Sequence, residues 1–371
     1  MRIGIDISQI VYQGTGVARF TNGLVNAILD SDKKNQWIFF FSSLRNHLDQ
    51  KLRTKIINRN HRLINYKLPP SLLSFMWNRL HLLNAEHITG PVDWFITSDW
   101  TEPPGKVNKA TIVHDLAFMR YPETVDPLIR KTQKLRLKWV KKESAVIFAD
   151  SQATKDDIID LLKIDKKKIF INYPGVDINE NKNNPAGILD EYRLNKPFIL
   201  TVGKLEPRKN ILRLIQAFNS LRTDSVDLII VGDKGWGETA SQDAIAKKNV
   251  RFLGYVPDDK LSVLYSKCLF FIYPSIWEGF GYPVIEAMKH GAAVATSNTS
   301  SLKEIGRDSA LLFDPQSEKS IQQALEKLIT DNELRNGLKQ KGLMNATRFT
   351  WKNYYNKLIN TLNSVYQTSA V

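Results

Sequence analysis

The sequence predicts an α/β fold that occurs twice along the chain. Short apolar segments typical of strands alternate with amphipathic segments typical of helices in both halves of the 371 residues. This alternation indicates parallel sheets covered by helices, and the length exceeds what one hydrophobic core usually fills. A polar, Asn-rich stretch with Pro and Gly at 173–187 indicates a domain boundary. We therefore expect two Rossmann-like domains, at 1–178 and 188–348, that face each other across a cleft.

The strand predictions rest on apolar runs bounded by turn-forming residues. In chain order the runs are MRIGIDI, QWIFFFS, DWFITS, KATIVHD, SAVIFAD, KIFINYP, PFILTVG, DLIIVG, VRFLGY, LFFIYP and AAVATS. In open parallel sheets, ligands bind beyond the carboxyl ends of the strands. The loops that follow these runs are therefore expected to carry the chemistry.

Composition argues against a membrane-spanning or disulfide-bonded protein. No apolar run reaches the roughly 18 residues that a bilayer span requires, and the chain opens as a strand without a charged leader. We therefore expect a cytoplasmic protein. The single cysteine, Cys268, starts an apolar run, where an inert buried thiol is the expected role.

Positive charge is concentrated in one predicted helix. The net charge is +14, and the densest basic stretch is RKTQKLRLKWVKK at 130–142. Its apolar residues fit one side of a helix whose other side is cationic. Such a helix suits nucleic acid, acidic lipid headgroups, or a solvated face with its apolar side in the core.

Two loops of the first half contain candidate ligand-binding residues. The glycines Gly14 and Gly16 precede a helical pattern. Glycines there let the backbone approach an anion, whereas a tight turn explains the same residues. His114 and Asp115 end an apolar strand. An imidazole beside a carboxylate suits a sugar hydroxyl or proton transfer, and a structural histidine is the alternative.

In the second half, three cations lie between a predicted strand and a predicted helix. They are Lys204, Arg208 and Lys209, in the stretch PFILTVGKLEPRKNILRLIQAF. Cations beside a helix N-terminus suit a diphosphate without a metal ion. An ordinary exposed loop is the competing interpretation.

The segment WEGFGYPVIEAMKHG, 277–291, places Glu278 and Glu286 on either side of a glycine-rich loop. Pro283 suits the first position of a helix, which puts Glu286 in the first helical turn. Glycines in the loop expose backbone N–H groups, and the short loop lets both carboxylates turn toward one ligand. Two acceptors for vicinal hydroxyls, with N–H groups for phosphate between them, indicate a nucleotide sugar.

These motifs resemble the retaining glycosyltransferases of family 4, which have the GT-B fold. The resemblance extends over nearly the whole chain, and it rests on GTGVARF, HDLAF, SQATKDDI, VGKLEPRKN, the paired glutamates and SSLKEIGRDSALLFDP. The chain is most similar to the mannosyltransferases that build bacterial lipopolysaccharide and capsular chains. The resemblance implies two facing Rossmann-like domains, with a C-terminal helix at 349–371 that crosses back to the first domain.

The resemblance also implies roles for individual residues. Glu286 would hold the ribose hydroxyls, and Glu278 would contact the donor hexose near its C3 hydroxyl. Lys209 takes the position of the diphosphate-binding lysine. Lys204 stands where many members have arginine, and a lysine cannot fork onto two oxygens. The neighbouring Arg208 either supplies that fork or faces away.

The remaining implied contacts involve loops of both domains. Tyr255 and Val256 would lie by the base, and the backbone around Phe280 and Gly281 would touch sugar and phosphate. From the first domain, His114 would lie over the donor sugar. Gly16 would line the cleft near the diphosphate.

The implied reaction is transfer of a hexose with retention, and we expect mannose from GDP-mannose. The departing phosphate takes the acceptor's proton, and no carboxylate acts as a covalent nucleophile. We expect no cofactor and no metal, because no Asp-x-Asp-like pair lies in a suitable loop. The acceptor is a saccharide or a lipid-linked saccharide.

The segment LPPSLLSFMWNRLHLL at 68–83, with the basic stretch 130–142, suits a lipid-linked acceptor at an anionic inner membrane surface. Core packing is the competing explanation for that segment. Peripheral attachment to the inner face of the plasma membrane is therefore a hypothesis.

Other functions fit the sequence less well. A GT-B epimerase or phosphorylase shares the fold, and a non-enzymatic basic nucleotide-binding protein would share the charge. A nicotinamide-dependent oxidoreductase needs a third glycine that GTGVARF lacks. No nucleic-acid-binding module is recognisable in the sequence, so we expect no nucleic-acid partner.

Overall fold

The computed structural model describes residues 1–12, 14–178, 185–221, 223–233 and 249–369. The chain forms two compact units: unit 1 is Met1–Gly175 with Thr350–Val371, and unit 2 is Val176–Phe349. Each unit contains a parallel β-sheet with helices, which confirms the predicted α/β architecture. Residues 179–184 of the predicted boundary lie outside the described residues.

The sheet of unit 1 has seven strands in the order β3-β2-β1-β4-β5-β6-β7. All of its pairings are parallel. The central strands are buried along nearly their whole length, which explains their continuous apolar runs. The bounds are Arg2–Asp6 (β1), Gln36–Ser42 (β2), Arg62–Tyr66 (β3), Trp94–Ser98 (β4), Asn108–Val113 (β5), Ser144–Ala149 (β6) and Ile169–Ile171 (β7).

The sheet of unit 2 has six strands in the order β10-β9-β8-β11-β12-β13. These strands are also parallel. The order places β8 beside β11, although two strands separate them in the chain. The bounds are Phe198–Val202 (β8), Asp227–Val231 (β9), Val250–Gly254 (β10), Phe270–Tyr273 (β11), Val294–Ser297 (β12) and Leu311–Phe313 (β13).

Helices connect the strands and cover the sheets. In unit 1 they are Gly16–Ser31 (α1), Gln50–Asn58 (α2), Pro70–Ser74 (α3), Ala85–Thr89 (α4), Ala117–Arg120 (α5), Pro127–Glu143 (α6) and Gln152–Leu162 (α7), with a π-helical segment at Phe75–Leu80. In unit 2 they are Pro185–Glu191 (α8), Ile211–Ser220 (α9), Asp258–Lys267 (α10), Tyr282–Lys289 (α11), Ser300–Gly306 (α12), Glu318–Thr330 (α13) and Asn332–Ala346 (α14). The last helix, Trp351–Ser369 (α15), belongs to unit 1. No helix in the described part of the chain is both long and apolar enough to cross a bilayer.

Two strands have no counterpart among the predicted segments. They are β3, with the sequence RLINY, and β13, with the sequence LLF. Each lies at an edge of its sheet, where one side of the strand is open to solvent. The edge strands β7 and β10 were nevertheless predicted, so the edge alone is not the reason. β3 has no buried residue and β13 has only three residues, so neither shows the longer apolar run on which the strand predictions rest.

The basic stretch forms α6, but one of its cations lies in the core. The side chain of Arg136 is only 2% exposed, and its guanidinium donates to the backbone oxygen of Ile112 at 3.0 Å. Lys131, Lys134 and Lys138 are exposed. The expectation of a solvated basic face therefore holds for these lysines and is wrong for Arg136.

The C-terminal helix α15 is anchored by Trp351. Ideal Cβ atoms built on Gly23 and Gly175 would come within 2.0 Å and 2.3 Å of Trp351 atoms. Only glycine fits at both places. Nearby, Asn172 donates through its side-chain amide to the backbone oxygen of Tyr354 at 3.1 Å. The crossing of the last helix back to the first domain is confirmed.

This packing predicts opposite effects of two glycine substitutions within helices. In Gly23→Ala, the new methyl group overlaps Trp351, and such overpacking costs about 1–3 kcal/mol of unfolding free energy. Gly337→Ala, in α14, meets no atom within 4 Å and gains about 0.5–1 kcal/mol of helix stability. Thermal and urea unfolding midpoints of the two variants and the native chain measure both effects. A Gly23→Ala protein as stable as Gly337→Ala would contradict the packing.

Candidate functional site

The site in unit 2 is assembled by two strands that are neighbours in the sheet. Phe270 and Phe271 of β11 pair with Ile199 and Leu200 of β8. The loop after β8 forms a short 3-10 helix at Pro207–Lys209, and the loop after β11 leads into α11. Because parallel strands end at the same edge of a sheet, these two loops meet.

Glu278 lies between the two cations of the neighbouring loop. Its Oε2 is 2.7 Å from Nη1 of Arg208, and its Oε1 is 2.6 Å from Nζ of Lys209. Arg208 also donates to the backbone oxygen of Trp277 at 2.6 Å. The guanidinium of Arg208 therefore turns toward Glu278, and its role at the diphosphate stays a prediction.

Two hydroxyl groups that the sequence analysis did not single out complete this cluster. Ser275 donates to Oε1 of Glu278 at 2.6 Å, and Tyr273 donates to the same oxygen at 3.0 Å. The Tyr273 hydroxyl also accepts from Nζ of Lys209 at 2.7 Å. Both residues end the run LFFIYPS, so their position after a buried strand was the available signal.

The cluster holds Glu278 in its ionised form. Burial by itself would raise the pKa of this carboxyl group, but Arg208 and Lys209 outweigh burial and lower the pKa far below the usual value of 4.5. Lys204, in contrast, is exposed. The structure therefore brings Arg208 and Lys209 together with Glu278 and leaves Lys204 at the surface of the same loop.

Glu286 is held by a different element. It is the fifth residue of α11, which begins at Tyr282, so the expectation that it falls in the first turn is wrong. The helix starts one residue earlier than Pro283 suggested because Gly281 caps it with φ of 100°. Tyr265 of α10 donates to Oε2 of Glu286 at 3.0 Å.

The glycine at 281 is required by its surroundings. An ideal Cβ there would lie 2.7 Å from Cδ2 of Leu302, and its positive φ disfavours other residues. The preceding residue, Phe280, buries its ring against Tyr282 and Phe349. Phe280 can therefore offer only its backbone to a ligand.

The two residues expected beside the base differ in exposure. Both follow β10, after Gly254 with φ of 67°. Tyr255 is 62% exposed, whereas Val256 is buried. Of this pair, Tyr255 has the side chain that is accessible.

In unit 1, the histidine predicted to pair with Asp115 has a different partner. Nδ1 of His114 lies 2.7 Å from Oδ2 of Asp150. Asp115 instead accepts from the backbone N–H of Ala117 at 3.0 Å. Adjacent residues at a strand end point in different directions, and the neighbouring strand β6 supplies the true carboxylate. The sequence analysis missed Asp150.

Gly16 is the first residue of α1 and is exposed. Thr15 caps this helix by accepting from the backbone N–H of Ala18 at 3.2 Å. The positive φ of this loop falls on Gly14, at 76°. Gly14 is therefore the glycine that the turn requires.

Two further expectations concern cysteine and metal ligands. Cys268 is buried as predicted, and burial raises the pKa of its thiol to about 12. Within the described ranges, no group of three or more His, Cys, Asp or Glu side chains is placed to hold a metal ion.

Comparisons with known proteins place this geometry in a family. The profile described as "Glycosyl transferases group 1" matches residues 190–344, which contain the Glu278 cluster. The chain is 30% identical over 276 residues to the O-antigen chain mannosyltransferase B of Escherichia coli, covering 69% of this chain and 71% of that relative. The chain belongs to the glycosyl transferases group 1 family.

Two further comparisons give another relative and a solved structure with the same fold. The chain is 31% identical over 210 residues to the N-acetylgalactosamine-N,N'-diacetylbacillosaminyl-diphospho-undecaprenol 4-alpha-N-acetylgalactosaminyltransferase of Campylobacter jejuni, covering 55% of this chain and 56% of that protein. The structure of Anabaena Alr3699/HepE, in complex with UDP and glucose, has the same fold, with a TM-score of 0.70 and 16% identity over 98% of this chain and 100% of that one.

The Glu278 cluster predicts a stability that depends on pH. Glu278→Gln leaves Arg208 and Lys209 without their counter-charge, and loss of one partner of a buried ion pair costs about 3–5 kcal/mol. The pKa of Glu278 is lowered by folding, so the stabilisation is complete above about pH 4.5 and declines as pH falls below that value. The difference in unfolding midpoint between native and variant should therefore shrink from pH 7 to pH 4.

The matched control is Glu326→Gln, which alters an exposed glutamate on α13. Its free energy of unfolding should stay within about 0.5 kcal/mol of the native value. A Glu278→Gln deficit that is the same at both pH values would show that the ion pairs do not stabilise the fold.

Proposed function

We propose that this glycosyltransferase moves a hexose from a nucleotide sugar to a saccharide or a lipid-linked saccharide with retention at the anomeric carbon. The best candidate donor is GDP-mannose. The observation that carries the proposal is the cluster of Arg208, Lys209 and Glu278 at the carboxyl edge of a parallel sheet. The mannosyltransferase relative supports mannose, and the UDP and glucose bound to HepE support a nucleotide sugar.

Arg208 and Lys209 would bind the diphosphate of the donor. Two cations and one carboxylate leave a formal charge of +1 in the cluster, which favours an anionic ligand. As the bond to the sugar breaks, negative charge grows on the departing diphosphate. Cations held in place by Glu278 stabilise that charge without reorganising. Lys204 adds a further positive charge from the exposed part of the loop.

Glu278 would bind the hexose as well as the cations. In the structure it receives hydrogen bonds or ion pairs from Arg208, Lys209, Ser275 and Tyr273, which is about as many as a carboxylate accepts. A sugar hydroxyl near C3 would therefore replace one of these partners. Glu278 is thus a point where binding of the sugar and positioning of the cations are coupled.

The other donor contacts follow from the same loops. Glu286 would accept from the ribose hydroxyls, and Tyr255 with the backbone of Val256 would contact the base. The backbone N–H groups at Phe280 and Gly281 would bind sugar and phosphate.

From unit 1, His114 would donate to the transferred sugar, and Gly16 would let the backbone approach the diphosphate. The acceptor hydroxyl would attack from the face that the diphosphate leaves. A phosphate oxygen of the leaving group would take the acceptor's proton. No protein carboxylate forms a covalent intermediate in this scheme, and no metal ion is needed for it.

The pathway proposed for this chain is the synthesis of a cell-surface polysaccharide. The E. coli relative is an O-antigen chain mannosyltransferase, and the name of the C. jejuni relative includes a diphospho-undecaprenol acceptor. We propose an acceptor of the same chemistry, a growing saccharide on a lipid diphosphate.

The donor proposal predicts which nucleotide stabilises the protein. GDP at 100 times its Kd should stabilise the native state by about 2.7 kcal/mol, because a ligand of the folded state shifts unfolding by mass action. UDP and dTDP should have a smaller effect, and EDTA should not change the result. Glu286→Ala should lose most of the stabilisation, because the ribose then lacks its acceptor.

Exposed Glu326→Ala serves as the control and should keep the native response. Product analysis by NMR after transfer from GDP-mannose should show the α anomer that retention requires. Stabilisation by UDP alone would change the donor, and a β product would exclude retention. No response to any nucleoside diphosphate would overturn the proposed function.

One face of unit 1 suits contact with an anionic membrane. The segment 68–83 buries Leu73 and Trp77 in the core, so core packing explains only part of it. Leu68 and Met76 are partly buried against the same cluster. Five further apolar side chains of the segment are exposed by more than a third, namely Leu72, Phe75, Leu80, Leu82 and Leu83.

Helix α6 joins this segment to a row of lysines. The ring of Trp139 stacks on His81, and Nε1 of Trp139 donates to the backbone oxygen of Asn78 at 2.8 Å. Lys138 and Lys142 lie with Nζ 5.2 Å from the centre of the Trp139 ring. Apolar and cationic groups thus share one surface, which favours peripheral attachment to anionic lipid.

Flotation with vesicles that contain phosphatidylglycerol tests this attachment. The native chain should bind at low salt and be released at high salt. The double variant Lys138→Ala/Lys142→Ala should bind roughly thirtyfold more weakly, because each of the two cations near an anionic surface contributes about 1 kcal/mol. Phe75→Ser/Leu82→Ser should also bind more weakly.

The control for the apolar contribution is Met344→Ser, an exposed apolar residue of unit 2. It should float like the native chain. Binding that is absent, or insensitive to both salt and the lysine substitutions, would show that this face does not bind lipid.

A further inference from the structure

The pair of His114 and Asp150 is set by the register of two strands. β5 and β6 are neighbours in the unit 1 sheet, and Val113 lies opposite Ala149. His114 and Asp150 are the next residues of these strands, so they leave the sheet side by side. Their side chains meet with 2.7 Å between Nδ1 and Oδ2.

The histidine ring is fixed on two sides. Asp150 holds Nδ1 from a side chain that is only 3% exposed. The ring of Phe20, on α1, packs edge-on with 4.6 Å between ring centres. Phe20 also packs against Trp351 and Tyr354 of α15. The orientation of the imidazole is therefore determined by three elements of unit 1.

The other nitrogen of the ring is unsatisfied. Nε2 of His114 and Oδ1 of Asp150 are buried and have no hydrogen-bond partner among the described residues. Buried polar atoms nearly always have a partner, and exceptions mark functional positions or bound groups. The side chain as a whole is 16% exposed, so part of the ring lies at the surface although Nε2 itself is buried.

We propose that Asp150 is a positioning residue that accepts a hydrogen bond from Nδ1–H of His114, and that its negative charge keeps the ring protonated, so that Nε2–H is a hydrogen-bond donor to the nucleotide sugar. This inference rests on the proposed function and deepens it. Asp150 does not touch the substrate. It fixes the orientation and stabilises the protonated form of the group that does, as a carboxylate does for a histidine in other enzymes.

The charges around the ring favour the protonated imidazole. The charged or titratable groups that face the pair are Asp99 after β4, Asp115 beside the histidine, Arg136 of α6, Asp150 and the Tyr354 hydroxyl of α15. Burial by itself would lower the pKa of His114, but Asp150 and Asp99 outweigh burial and Arg136, so the pKa is raised. The donor form of the ring is thus retained to higher pH.

The sign of the pH dependence follows. Protonated His114 donates through Nε2, and activity should fall as pH rises through its raised pKa. In Asp150→Asn, the side-chain oxygen still accepts from Nδ1, but the negative charge is gone. The pKa of His114 then drops. The alkaline limb of the pH profile, which is the fall of kcat at high pH, therefore moves to lower pH. A drop of about one unit lowers kcat about tenfold above both pKa values.

The first experiment compares pH profiles of mannose transfer by the full-length native chain, Asp150→Asn and Asp115→Asn. Asp115 is the matched control because it carries the same charge next to His114 but bonds to Ala117. We expect the alkaline limb to move in Asp150→Asn and to stay in place in Asp115→Asn. The KM for the donor should change less than kcat. The inference would be overturned if the alkaline limb lay at the same pH in the native chain and in Asp150→Asn. It would also be overturned if the limb moved equally in Asp150→Asn and Asp115→Asn.

The second experiment measures the ring directly and needs no turnover. The chain has six histidines, and His114→Gln assigns the His114 signals in ¹⁵N NMR spectra. We expect the His114 ring of the native chain to titrate above pH 6.5, at the same pH at which kcat falls on the alkaline side. This comparison uses the native chain, so it does not require a folded Asp150 variant. A native titration below 6.5, or one unrelated to the limb, would overturn the inference.

The two experiments separate this inference from the proposed function. If the native chain transfers no sugar from any nucleotide donor, the proposed function fails, and the role of Asp150 in it fails as well. If transfer is normal but Asp150→Asn behaves as the native chain, the proposed function stands and only this inference fails.

Discussion

Adjacency of strands in a parallel sheet is the constraint on which both polar clusters depend. β8 and β11 are distant in sequence, yet their pairing brings Arg208 and Lys209 to Glu278. The pairing of β5 with β6 does the same for His114 and Asp150. In each case the residues that meet follow the last paired positions of two strands. The hydrogen bonds of the sheet thus determine which side chains come into contact, because these residues are far apart in the sequence.

The charges in these clusters are tolerated because each has a counter-charge. Taking a lone ion out of water costs several kcal/mol, and a well-placed partner offsets that cost. The same rule governs a cluster away from the proposed site, where Lys109 is 3.1 Å from Glu102 and 2.8 Å from Glu143. That cluster lies at the opposite end of β5 from His114, and it serves the fold. Pairing by itself therefore does not distinguish a binding site from a structural network. The feature that the two proposed clusters share, and that the Lys109 cluster lacks, is a position beyond the carboxyl ends of two neighbouring strands.

Much of the architecture was predictable because a strand that is buried on both faces of its sheet has a continuous apolar sequence, and such a direct record is visible in the sequence. Segments such as QWIFFFS and SAVIFAD are continuous apolar runs, and each became a central strand. The failures occurred where that record is weak. β3 has no buried residue and β13 has only three residues, so neither shows the longer apolar run that identifies a strand. The expectation that Arg136 is solvent-exposed was wrong for the opposite reason. It is a charged residue in a basic stretch, and only the surrounding acceptors, Thr111 and the Ile112 backbone, make its burial acceptable.

By itself the sequence determined the two-domain α/β architecture, the loops in which we predict the chemistry and, through Glu278, Glu286 and Lys209, the resemblance to the glycosyltransferase family. These features depend on local composition and on short motifs, which a single chain displays in full. The tertiary structure decided the partners. In the folded chain Arg208 contacts Glu278, and Tyr273 and Ser275 donate to the same carboxylate. Helix α11 begins at Tyr282. His114 contacts Asp150 and not the adjacent Asp115. The physical reason is that hydrogen bonds and ion pairs act over about 3 Å in space, whereas distance along the sequence places no limit on which residues a parallel sheet brings together.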